Sequence, residues 1–129
     1  MSNAGDILIV DDDQPIVDFI TEALADEGYT VRSAFSVASA LDATAARAPD
    51  LIIMDLHMPG KTGDMFVREL RRDGRTNLPV VLMTADSMSA KALEAEGIAF
   101  CLLKPFDLDD LLACVAKYVP PQREQISGS

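Results

Sequence analysis

Residues able to do chemistry close four apolar runs of this chain. Asp11, Asp12 and Asp13 follow "ILIV", Asp55 follows "LIIM", Thr84 follows "VVLM" and Lys104 follows "FCLL". Carboxylates brought together repel, raise one another's pKa and cost stability unless a cation neutralises them. A hard divalent cation is the natural solution, and Mg²⁺ suits one or two carboxylates, a backbone oxygen and waters. Lys104 supplies a second positive charge and Thr84 a hydroxyl. Together these are the parts needed to stabilise the equatorial oxygens of a transferring phosphoryl group, a reaction dominated by positioning and charge neutralisation. Asp55 can then act as the nucleophile and form an acyl phosphate. Taken singly, each residue has a plainer reading: an acidic run starts a solvated helix, a strand-end Thr sits in a turn, and a Lys before Pro is a surface charge, as Lys61 near the Asp55 motif is. For Asp13 the helix-cap reading is preferred. Only the joint placement carries the chemistry.

That chemistry requires elements that bring the four run ends together. Strand-length apolar runs recur at Ile7 to Val10, Thr30 to Ala34, Leu51 to Met54, Val80 to Met83 and Phe100 to Leu103. Three of them are apolar on consecutive residues, which predicts strands buried on both faces of a parallel sheet. Between them, Ile16, Val17, Ile20, Ala23 and Leu24 keep helical spacing, with Asp13 as N-cap, Pro15 in the first turn and Gly28 at the exit. Ser36 caps a second stripe of Val37, Ala40, Leu41 and Thr44, and Pro49 marks its end. A third helix is expected from Gly63 to Arg71, and a short Ala-rich one from Ser89 to Glu96. The last uses Leu108, Leu111, Leu112, Val115 and Val119 before Pro120-Pro121 stop it. Five alternating strand–helix units predict an open, doubly wound α/β sandwich in which functional groups gather at the carboxyl ends of the strands.

Composition narrows the function classes. With 129 residues and 49% hydrophobic content, the chain suits one compact domain. Twenty-one acidic residues against 11 basic ones leave a formal charge of −10, which opposes direct nucleic-acid binding and anionic lipid. No apolar run approaches the roughly 20 residues of a membrane span and no signal segment opens the chain, so a cytoplasmic protein is expected. Cys101 and Cys114 lie inside apolar runs without metal-ligand spacing and read as reduced thiols.

"ILIVDDD", "LIIMDLHMPG", "VVLMTA" and "LLKPF", in this order, resemble the receiver domain of bacterial two-component response regulators over about Asp6 to Val119. The resemblance implies a flavodoxin-like (βα)5 sandwich with a parallel sheet of order 2-1-3-4-5. It makes 1–5 an N-terminal extension, 6–119 the receiver domain and 120–129 a tail or the start of a linker. It also implies that Asp55 accepts a phosphoryl group from a histidine kinase or histidine phosphotransfer protein, with Mg²⁺ as cofactor. Asp12 then binds the metal directly, Asp11 mainly through water, and His57 through its backbone carbonyl. Thr84 and Lys104 hold phosphoryl oxygens, and Lys104–Pro105 takes a cis peptide. Pro59 and Gly60 shape the loop beyond Asp55. Magnesium-dependent self-phosphorylation and autodephosphorylation are expected, without turnover of an external substrate. The implied partners are the phosphodonor and an effector domain or protein, with the chain a monomer or a weak phosphorylation-dependent dimer.

Three positions and one stretch depart from that family's pattern or modulate it. Cys101 stands where receivers carry Tyr or Phe as a switch, and neighbouring Phe100 points to the other face of a strand and does not substitute for it. The stretch from Thr84 to Lys104 is shorter than usual by about half a helical turn, which alters a common output surface. His57 and Asp86 border the path of the attacking water in the family. They are candidates for tuning acyl-phosphate lifetime, or equally exposed variable positions. Two other readings stay open. A haloacid-dehalogenase-type phosphatase wants a second Asp where His57 stands, and a phosphate-independent interaction module makes the acid site vestigial.

Overall fold

The structure is a computed structural model describing residues 5–56, 63–72, 74, 78–85, 88, 91 and 100–120. Strands β1 (Asp6–Val10), β2 (Thr30–Ala34), β3 (Leu51–Asp55), β4 (Val80–Thr84) and β5 (Phe100–Leu103) pair in parallel in the order β2-β1-β3-β4-β5. This is the sheet expected from the sequence. Central strands β1, β3 and β4 are buried almost throughout, which is why their sequences run apolar without alternation.

Side chains still divide between two cores with period two. On one face, Leu8, Val10, Ile52, Met54, Val80 and Leu82 pack under α2 (Val37–Ala46) and α3 (Gly63–Arg72), represented by Ala40, Phe66 and Leu70. On the other, Ile7, Ile9, Ile53, Val81 and Met83 pack under α1 (Gln14–Asp26) and the C-terminal helix α4 (Leu108–Tyr118), through Ile20, Leu24, Leu111 and Val115. The expected helix over 89–96 lies outside the described residues except for Lys91.

Local chemistry sets the helix ends. Asp13 and Ser36 accept from the backbone N–H of Ile16 and Ser39, and Asp107 forms a capping box with Asp110 at the head of α4. Gly28, at φ +94°, turns the chain from α1 into β2 in a conformation few other residues adopt. Leu108 differs from expectation: placed on the buried stripe by its spacing, it is 44% exposed, because as the first residue of α4 it precedes the turns that pack on the sheet.

Two long-range clasps close the amino end of the sheet. Asp6 accepts from both Arg32 and Arg47, while Arg32 also donates to the carbonyls of Ala43 and Arg47 at the end of α2. The Tyr29 hydroxyl donates to the carbonyl of Val119, just past α4. Both clasps lie opposite the strand ends that carry the acids.

Candidate functional site

Asp11 leaves β1 with its N–H donated to Ala34 O at 3.2 Å, so the ends of β1 and β2 stay together. Its carboxyl group is fully buried. Oδ1 accepts from the Asp13 N–H at 2.9 Å, whereas Oδ2 has no hydrogen-bond partner among the described residues. Asp12, next in the chain, is exposed. Asp55 ends β3, one strand away, and carboxylate oxygens of Asp11, Asp12 and Asp55 lie within 4.8 Å of one another.

Thr84 ends β4 with its side chain buried. Its carbonyl accepts from the Lys104 N–H at 2.8 Å, which fixes the end of β5 beside that of β4. From there the Lys104 ammonium reaches back to 3.6 Å from Asp55 Oδ2. The Leu56 N–H donates to Met83 O at 2.9 Å, holding the first residue beyond β3 against β4. The Lys104–Pro105 peptide is cis.

Five of the residues singled out in the sequence, Asp11, Asp12, Asp55, Thr84 and Lys104, thus end four neighbouring strands at one edge of the sheet. Asp13 stands apart as the helix cap. Cys101 lies in β5 opposite Leu82 of β4 in register. His57, Pro59, Gly60, Lys61 and Asp86 lie outside the described residues.

The electrostatics are unfavourable for a bare carboxylate. Burial pushes the Asp11 carboxyl above its ordinary range, the Asp13 N–H opposes that rise, and the charges of Asp55 and Asp12 add to it against the attraction of Lys104. A buried carboxylate oxygen with no donor among the described residues, together with two further carboxylates, makes a set of hard oxygen ligands suited to a small divalent cation such as Mg²⁺. The site can therefore hold a cation and present Asp55 beside it.

Sequence reasoning did not single out the surface next to this edge. Ile16, Phe19, Ala85, Lys104, Pro105 and Phe106 line an open, largely apolar groove of about 420 Å³ between α1 and the turn into α4. Ile16 was counted on the core stripe but is only partly buried. The available signal was Phe19, a large aromatic residue off the apolar stripe of its helix.

Comparison with known proteins gives a consistent result. The family model of the response regulator receiver domain matches residues 7–116. The DNA-binding transcriptional regulator NtrC of Escherichia coli (strain K12) is 34% identical over 123 residues, which cover 94% of this chain and 26% of that protein. The chain thus spans about a quarter of that curated relative's length. Among solved structures, the chemotaxis response regulator CheY4 of Vibrio cholerae matches with a TM-score of 0.83 and 28% identity, over 91% of this chain and all of that one. The receiver domain of NtrX from Brucella abortus gives a TM-score of 0.81 and 32% identity, over 88% and 97% of the two chains.

Proposed function

Because this chain belongs to the response regulator receiver domain family, we propose that Asp55 accepts a phosphoryl group from a phosphohistidine of a histidine kinase or histidine phosphotransfer protein. The observation that carries the assignment is the convergence of three carboxylates within 4.8 Å, one with a buried oxygen lacking a partner among the described residues, on a strand end that also faces the Lys104 ammonium. Asp11, Asp12 and Asp55, with the His57 carbonyl, would hold Mg²⁺. The bound ion supplies charge neutralisation for the incoming phosphoryl oxygens.

The chain's own residues account for the other requirements. Ending a strand buried between two cores, Asp55 has a fixed backbone, so its carboxylate is positioned for in-line attack. A carboxylate oxygen of Asp55 bonds to phosphorus as the P–N bond to the donor imidazole breaks, and the imidazole departs with the bonding electrons. The Lys104 ammonium, freed from its pairing with Asp55, binds a phosphoryl oxygen. The Thr84 hydroxyl binds another. Water later attacks the acyl phosphate, returning Asp55 and inorganic phosphate, without turnover of any external substrate.

Mass spectrometry after incubation with acetyl phosphate and Mg²⁺ tests the assignment. A single phosphoryl adduct on the natural protein is expected, absent in Asp55→Asn and in chelator. Equal labelling of Asp55→Asn would overturn the assignment. Failure of the natural protein to take phosphate from this donor and from a panel of kinases would favour a phosphate-independent interaction module.

A further inference from the structure

Two exposed helix stripes carry opposite charge at the same spacing. On α1, Phe19 is followed three and seven residues later by Glu22 and Asp26, and all three are exposed. On α3, Met65 is followed three and seven residues later by Arg68 and Arg72, and these three are exposed as well. Residues at i, i+3 and i+7 share one side of a helix, so each stripe is an apolar side chain followed by two like charges. Phe19 is 44% and Met65 43% exposed. Helix α1 has neither Lys nor Arg. In α3, half-buried Glu69 lies beside the arginines, four residues beyond Met65, and the equivalent position of α1 is the neutral Ala23.

The fold sets the two stripes in a common direction. Helix α1 packs on one face of the sheet and α3 on the other. Each joins two neighbouring parallel strands by running back against them, so the two helices are parallel to each other. We propose that copies of this chain associate head to tail, with the acidic stripe of α1 in one seated against the basic stripe of α3 in the next. A copy displaced along the sheet normal brings the parallel stripes together in register, Phe19 against Met65, Glu22 against Arg68 and Asp26 against Arg72. The first pair is a thioether–aromatic contact, and the other two are ion pairs. Because the contact joins different patches of two copies, each end keeps one stripe open and the row does not close. A displacement preserves orientation, so every copy presents Asp55 along the same side of the row. The formal charge of −10 opposes association at long range, whereas the matched charges act at contact, inside a Debye length of about 8 Å at physiological ionic strength. The association is therefore weak and needs high protein concentration.

Sedimentation velocity and concentration-dependent amide shifts of the full chain at physiological ionic strength test the proposal. The mean sedimentation coefficient of the natural protein is expected to rise with concentration, with shifts centred on Phe19, Glu22, Met65 and Arg68. The double variants Glu22→Arg, Asp26→Arg and Arg68→Glu, Arg72→Glu, each confirmed as folded by its melting curve, should both weaken association by about tenfold or more. The first changes the charge by +2 at each of two positions, taking the formal charge from −10 to −6. That eases the long-range repulsion, so a loss of association in this variant isolates the local contact. An equimolar mixture of the two variants should associate again, because the basic α1 of one meets the acidic α3 of the other. A natural protein that stays monomeric at every concentration, shifts centred elsewhere, unchanged association in both variants, or a mixture no more associated than its parts would overturn the proposal.

Discussion

Lys104 Nζ stands 3.6 Å from Asp55 Oδ2, across the intervening strand β4. The distance is that of an ion pair and exceeds a direct hydrogen bond. Both side chains keep some contact with solvent, so the pair contributes little to stability, about 0–1 kcal/mol. Its placement at a carboxylate cluster points instead to the chemistry.

Lys104→Ala should therefore leave the melting temperature nearly unchanged while lowering phosphate incorporation, or the conformational response to it, by about tenfold or more. Melting curves paired with acetyl phosphate labelling make the comparison. A collapse of stability with labelling intact would identify a structural lysine.

Asp11 gives a pH dependence in the metal-free protein. Burial raises its folded-state pKa above the ordinary 3.8, so the folded protein binds more protons than the unfolded chain between those two values. Stability then falls as pH rises from 3.8 through the raised folded pKa, and the ionised group is a net cost at neutral pH. Asp11→Asn should stabilise the metal-free protein at neutral pH and flatten this dependence. Mg²⁺ is expected to raise the melting temperature of the natural protein, and Asp11→Asn should remove that rise. Denaturant titrations across the acid range, with and without Mg²⁺, check each statement.

Cys101 should weaken the link between Thr84 and the distal face. A thiol is much smaller than the Tyr or Phe ring of the family's pattern, so a movement at Thr84 has no large aromatic rotamer switch in β5 to drive. NMR shifts on adding beryllofluoride and Mg²⁺, with fluorides standing in for phosphoryl oxygens, should spread less far in the natural protein than in Cys101→Tyr. Equal spread through β5 to α4 in both would refute the weak coupling.

Tyr29→Phe should destabilise the fold by roughly 1–2 kcal/mol, because it leaves the buried Val119 carbonyl without its donor. The loss should appear first as faster amide exchange in the last turn of α4. Unchanged exchange there would show that water replaces the hydroxyl.

Thiol chemistry supplies a control on burial. The Cys114 thiol is raised by burial to about 11, with the charge of Lys117 opposing the shift. It should resist alkylation at mildly alkaline pH until the protein unfolds. Since its folded pKa lies above the ordinary 9.0, any stability linked to the neutral thiol is lost as pH rises from 9.0 towards 11. Peptide mapping after iodoacetamide treatment reads the labelling directly.

Much of this protein was legible before its structure because the signals are local. Strands buried on both faces must be apolar on consecutive residues, so β1, β3 and β4 announced themselves, and Asp13 and Ser36 cap helices through bonds spanning only three residues. Once the sheet is parallel, every residue after a strand arrives at the same edge. The gathering of Asp11, Asp55, Thr84 and Lys104 therefore followed from their positions alone.

Tertiary structure decided what depends on partners distant in the chain. Asp11 and Asp12 are the same residue type in one run, yet the first is fully buried and the second exposed, because only the packed neighbours of β1 determine which side chain is covered. Asp6 with Arg32 and Arg47, and Tyr29 with Val119, pair across segments whose proximity no local pattern encodes. Phe19 became the wall of a groove only when the turn from β5 into α4 was set beside α1. Local periodicity specifies which residues face inward on each element, whereas the docking of elements determines which of those at the margin stay open to a partner.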